Sequence, residues 1–137
     1  MDLEEARALV RTQHRAVLAT WRPDGTPQLS PVTAGVDEDG YLVISTRDTA
    51  YKVRNLRRDP RAYLCLFPDS FFGGRWAQID GMVTVVSLPE AMEPLVEYYR
   101  RISGEHPDWD DYRAAMVRDR RVLLRMEITR AGPDRFG

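Results

Sequence analysis

The apolar positions change their period along the chain. Leu3, Ala6, Leu9 and Val10 recur at helical spacing behind Glu4 and Glu5, whose charges suit a first helical turn, so a short amphipathic helix is predicted over 3–13. Residues 15–21 read as a strand, 22–26 as a turn with Asp24-Gly25 at its tip, and 28–36 as a second strand closing a hairpin. Pro27 and Pro31 lack an N–H, so part of that second strand cannot donate to a neighbour. A turn at 37–40 leads into a third strand, 41–46. Then Tyr51, Val53 and Leu56 mark a short helix, starting near Asp48 or Thr49 and stopped by Asp59-Pro60.

A strong strand follows at 61–67, then a loop at 68–74 whose Phe71 and Phe72 would be exposed in an isolated monomer. Residues 75–87 form a long strand in which Gly81 predicts a bulge or bend. Ser87 to Glu90 has capping-box spacing, and Met92, Leu95, Val96, Tyr99 and Ile102 continue at helical intervals. Pro94 means that this helix either kinks or starts there. Asp108 caps a further helix with Trp109, Tyr112 and Met116 on one face, and 122–128 is the last strand. About six strands and three or four helices predict a mainly β fold: an antiparallel barrel or strongly curled sheet, one domain over 1–137.

Composition narrows the functions. In 137 residues, 20 basic and 21 acidic side chains leave a net charge of −1, which argues against a protein built to coat nucleic acid or an anionic membrane. All but one of the basic residues are arginine, the exception being Lys52. A single cysteine, Cys65, excludes an internal disulfide and a cysteine-based zinc site; its alternation with apolar neighbours reads as a small buried hydrophobe. His14 and His106 are too few for a histidine-rich metal cluster, and Asp108, Asp110 and Asp111 read as helix capping. No apolar run reaches the ~20 residues needed to cross a bilayer, and the start is acidic where a signal peptide is basic; the reading is soluble and cytoplasmic.

Candidate chemistry centres on Ser45 to Leu56. A strand ending in Ser45 and Thr46 is followed by Arg47 and by a helix whose first turn carries Lys52, a pattern open to an anion site or to a solvated basic helix. Arg54, Arg57, Arg58 and Arg61 form a basic stripe that could track a nucleic acid, face solvent or pair with carboxylates. Gln28 and Ser30 share one strand face, toward water or a ligand cleft. Trp76 and Gln78 share another, where the Trp could stack on a planar ligand or sit in the core. No nucleophile–base constellation stands out, so an enzyme of this sequence would leave the hard chemistry to a bound group.

The stretch Lys52-Val-Arg-Asn-Leu-Arg-Arg-Asp-Pro-Arg-Ala62, after a strand ending Ile-Ser-Thr, resembles the pyridoxamine-phosphate-oxidase-like split-barrel flavoproteins. Ile102-Ser-Gly-Glu-His-Pro-Asp-Trp-Asp-Asp-Tyr112, continued by Met116-Val-Arg-Asp-Arg-Arg-Val-Leu-Leu124, is similar to the actinobacterial branch that uses coenzyme F420. The resemblance covers roughly residues 5 to 130. It implies a split β-barrel homodimer with cofactor sites along the subunit interface, and hydride transfer from a reduced deazaflavin to an unsaturated or conjugated small molecule. By position, Lys52 would bind the cofactor phosphate with Ser45, Thr46 and Arg47. Gln28, Ser30 and Val32 would line the ring, and Trp76 and Gln78 would reach in from the partner subunit. The branch commonly has a further Arg two residues before the lysine; here that position is Ala50, with Arg47 as the substitute. Residues 130–137 lack the Arg- and His-bearing tail that true pyridoxamine phosphate oxidases use for substrate, which argues against that activity. FMN on the same fold, a non-catalytic carrier of cofactor or haem, and a nucleic-acid-binding barrel are the alternatives.

Overall fold

Strand β1 (Arg15–Trp21) and strand β2 (Pro27–Val36) form the expected hairpin, closed by Arg22 N–H donating to Thr26 O at 2.9 Å, with Gly25 at φ 85° in the turn. The computed structural model describes residues 1–134; the end of the C-terminal stretch, 135–137, lies outside the described residues. Strands β3 (Leu42–Arg47), β4 (Arg61–Leu66), β5 (Ala77–Val86) and β6 (Arg121–Gly132) complete a closed antiparallel barrel in the order β1-β2-β3-β6-β5-β4. Closure pairs the strands around the ring, with the β2–β3 contact the shortest, at three residue pairs.

The inward-facing residues make the main core, with Leu18, Leu42, Ile44, Leu64, Leu66, Ile79, Leu124 and Met126 all buried. Helix α1 (Leu3–Thr12) inserts Ala6 and Val10 into the barrel end where β1 starts. Helix α2 (Tyr51–Arg58) closes the opposite end with Val53 and Leu56. Outside the barrel, helix α3 (Met92–Ser103) and helix α4 (Trp109–Arg118) pack Leu95, Val96, Tyr112 and Met116 against Val43 and Leu123 of β3 and β6. Asp108 caps α4 by accepting from Asp111 N–H at 3.1 Å.

Gly81 sits at a register shift between β5 and β6, as a glycine in a long strand suggests. A Cβ there would lie 2.3 Å from Glu127 O, so the two backbones approach too closely for any side chain.

Three local expectations change. Helix α2 starts later than Asp48 or Thr49: its N-cap is Ala50, which offers no side-chain acceptor. Ser87 to Glu90 form a turn, with Ala91 N–H donating to Ser87 O at 3.0 Å, and the N-cap of α3 is Ala91; the capping box is not made. Pro94 then falls in the first turn of α3, where a missing N–H costs nothing, so no kink is needed. Cys65 is exposed, because the pleat of β4 turns Ala62, Leu64 and Leu66 inward and Arg61, Tyr63 and Cys65 outward.

Candidate functional site

The pairing of β2 creates an opening in the barrel. Residues 27–33 of β2 pair with β1, but β2 meets β3 only at Ala34↔Ile44, Gly35↔Val43 and Val36↔Leu42. Beyond those pairs the strands part. Ala34 N–H points to His14 O on the β1 side at 2.8 Å, so by alternation the backbone groups of Leu29, Pro31 and Thr33 face the gap. Pro31 is tolerated there because its position needs no ladder donor. Thr33 O accepts from the Tyr98 hydroxyl at 2.8 Å, which fastens α3 across the opening.

A cavity of about 740 Å³ occupies this split. Pro31, Val32 and Thr33 line one side, Ser45 and Thr46 the other; Lys52 reaches in from α2, while Tyr98, Tyr99, Tyr112, Met116 and Arg121 enclose it from α3, α4 and the start of β6. Burial holds the Tyr98 hydroxyl above its ordinary pKa and, with nearby tyrosines adding to it, pushes Tyr112 up to about 12; both stay protonated donors at neutral pH. Tyr112 uses its proton on Leu95 O at 2.9 Å.

The charge of the cavity is one-sided. Burial, and then the nearby Arg121 guanidinium, hold Lys52 below the ordinary lysine pKa. Among the described residues, the buried Arg121 Nε has no hydrogen-bond partner. Among the described residues, no carboxylate lines this cavity and neither cation forms an ion pair with an acid. Two hydroxyl side chains at the end of β3 and two cations without acids form a donor set that fits the phosphate of a flavin-type cofactor. Arg121 was missed by the sequence reading: nothing local distinguishes it among so many arginines, and only the β3–β6 register, which sets it opposite Arg47, brings it to the site.

Of the expected site residues, Val32, Ser45, Thr46 and Lys52 come together here. Arg47 ends β3 exposed and does not line the cavity. Gln28 lines a second cavity of about 520 Å³ with Arg22, Tyr51, Arg54, Asn55 and Arg58. Ser30 is half-buried on the same face of β2, between Gln28 and Val32, and lines neither. Trp76 lines a third cavity, of about 440 Å³, that shares Arg15 and Phe67 with the first. Gln78 is exposed and donates to Asp80 at 3.0 Å. Within one chain, Trp76 and Gln78 therefore stand apart from Lys52.

The basic stripe is largely engaged internally. Arg57 pairs with Asp48 at 2.7 Å, Arg61 with Asp59 at 2.7 Å, and Arg58 donates to Trp21 O at 2.6 Å. No group able to hold a metal ion is found among the described residues, and no helix there is long and apolar enough to cross a membrane.

Comparison with known proteins agrees with this architecture. A family model described as Pyridoxamine 5'-phosphate oxidase matches residues 3–132. The solved structure of the conserved hypothetical protein Rv2991 from Mycobacterium tuberculosis is 28% identical with a TM-score of 0.77, over 96% of this chain and 82% of that one. An F420 reductase is 23% identical with a TM-score of 0.70, over 92% and 94% of the two chains. A heme binding protein from Mycobacterium smegmatis is 23% identical with a TM-score of 0.67, and this chain spans 52% of its length. At such identities the last two share the fold.

Proposed function

The chain belongs to the pyridoxamine 5'-phosphate oxidase family, and from that premise we propose that it is an oxidoreductase that binds coenzyme F420 in the split between β2 and β3. The observation that carries this is Lys52, a half-buried cation without an acidic partner among the described residues, aimed into a cavity beside Ser45 and Thr46. Those three would hold the phosphate, with Arg47 near the mouth. Gln28, Ser30 and Val32 run along one strand face and would line the ring. When bound, the reduced deazaflavin supplies a hydride for an unsaturated or conjugated small-molecule acceptor. The chain's own contribution is anchoring, orientation and exclusion of water, which explains why no nucleophile or general base is needed.

The complete site would need a second subunit. The outward rows Leu29–Ala19–Tyr63 and Pro31–Val17–Cys65 run across β2, β1 and β4, and Leu29 is 67% exposed. Such a face suits a second copy of this chain, which would bring Trp76 and Gln78 to the cofactor. The free, exposed Cys65 suits the reducing cytoplasm, where we place the protein.

FMN on the same anchor is the second reading, since a phosphate anchor hardly distinguishes the two cofactors. A haem carrier would have to ligate iron through Tyr98, Tyr99, Tyr112 or Met116, because neither His14 nor His106 lines the cleft. Parallel fluorescence titrations with coenzyme F420 and FMN test the proposal, followed by turnover of reduced F420 with enones and quinones. Tight F420 binding with turnover is the expected result. Stoichiometric FMN retention from a host lacking F420 would favour the second reading, and binding without turnover a carrier.

A further inference from the structure

We infer that Arg121 is a second anchor for the anionic group, facing Lys52 across the cleft, and that the cleft is shaped for a phosphate ester held by both cations. Two independent features support it. The first is the chemistry already described: Lys52 and Arg121 line one cavity close enough for Arg121 to disfavour the charge on Lys52, with no carboxylate beside them. Arg121 Nε is moreover a buried donor without a partner among the described residues. A protein that buries a guanidinium N–H ordinarily gives it an acceptor.

The second feature is the way the arginine is held. The turn leading into β6 places Arg120 at φ 55°, a left-handed conformation costly for a residue with a side chain. Asp48 N–H donates to Arg120 O at 2.8 Å, tying this turn to the loop between β3 and α2. The Asp48 carboxylate is engaged by Arg57 at 2.7 Å and Arg120 at 3.5 Å, so the acid of this loop is already committed to two other arginines. Arg47, opposite Arg121 in the β3–β6 register, adds a third positive charge at the same end of the barrel. An arrangement that repels itself and leaves a buried donor unmet is relieved by an anion. A phosphate oxygen pair matches the planar guanidinium fork, while the lysine supplies a point charge.

The inference rests on the cofactor reading only for what carries the phosphate; a phosphomonoester such as FMN and the phosphodiester of coenzyme F420 share the chemistry. The test compares each cofactor with its phosphate-free counterpart: FMN with riboflavin, and F420 with its deazariboflavin chromophore. Arg121→Gln should cut the preference for the phosphate-bearing member about tenfold, leave the phosphate-free affinity within about twofold, and Arg121→Lys should restore part of the preference. Equal loss for both members, or an unchanged preference, overturns the anchor. Should the native chain bind neither flavin nor deazaflavin, the cofactor reading fails, and inorganic phosphate tests the anchor alone. At constant ionic strength, phosphate should then raise the Tm of the native chain and not that of Arg121→Gln; no rise in the native chain overturns the inference. If Arg121→Gln does not fold, Arg121→Lys carries the comparison: phosphate preference weakened relative to the native chain supports the anchor, and an undiminished preference counts against it.

Discussion

Asn55 Nδ2 donates to Gln28 Oε1 at 2.9 Å, joining helix α2 to the free part of β2 at the point where β2 and β3 have separated. The same amide donates to Thr20 Oγ1 at 3.1 Å, and Asn55 Oδ1 accepts from Arg58 Nη2 at 2.9 Å. One buried, fully engaged amide thus ties α2 to both strands of the β1–β2 hairpin. Lys52 lies three residues earlier on the same helix, so the bonds that hold α2 to this hairpin also hold the lysine where it enters the cleft.

Removing that amide should be expensive. Asn55→Ala strips partners from Thr20, Gln28 and Arg58, of which Thr20 is buried and Arg58 is charged. We expect a loss of about 3 kcal/mol, read as a lower urea midpoint with an unchanged m-value. A change under about 0.5 kcal/mol would mean that water replaces the amide without cost.

Gly81→Ala tests the bulge. Its Cβ would sit 2.3 Å from Glu127 O and 2.8 Å from Met126 Cε, and the first of these is backbone that cannot rotate away. Strands β5 and β6 must separate locally, which we expect to cost about 3 kcal/mol, seen as a lower Tm in thermal denaturation. A substitution without effect would show that the two strands can move apart freely at the register shift.

Most strands were legible because their punctuation is chemical: Asp24-Gly25 makes a turn, Asp59-Pro60 stops a helix, and Gly81 admits a close approach. Lys52 stood out for similar reasons, as the one lysine in a recognisable motif. Cys65 was misjudged because alternation identifies two faces without saying which is inner, and both faces of β4 carry apolar groups. Arg121 was invisible because its position depends on a pairing between strands that are far apart in sequence. Trp76 and Gln78 are different: the resemblance names both, but within one chain neither lines the cavity of Lys52, and only the proposed second subunit would bring them to it.

Leu29→Glu tests the outer face. The leucine is 67% exposed beside Ala19 and Tyr63, and a carboxylate there would be buried without a partner if two copies met on this surface. The native chain should run as a dimer in light scattering, and the variant should dissociate to folded monomers with weakened cofactor binding. Native monomers at micromolar concentration, with cofactor bound, would remove the second subunit from the site.

Lys52 links the cleft to pH. Burial, and then Arg121, depress its pKa below 10.5, so between the lowered value and 10.5 the unfolded chain binds more protons than the native one. Stability of the ligand-free protein attributable to this group therefore rises with pH across that window, and the full penalty is present below it. A bound phosphate favours the ammonium and raises its pKa, so anion affinity should be level below the ligand-free pKa and fall as pH rises through it. Lys52→Met removes both effects. At neutral pH the variant should be at least as stable as the native chain without ligand, yet bind the cofactor more than about tenfold more weakly, with no pH-dependent fall attributable to Lys52. Denaturant titrations without ligand and fluorescence titrations across pH 6 to 10.5 separate the two quantities. Native affinity and an unaltered pH profile in the variant would place the anion elsewhere, because a cation that holds the phosphate must show itself in both.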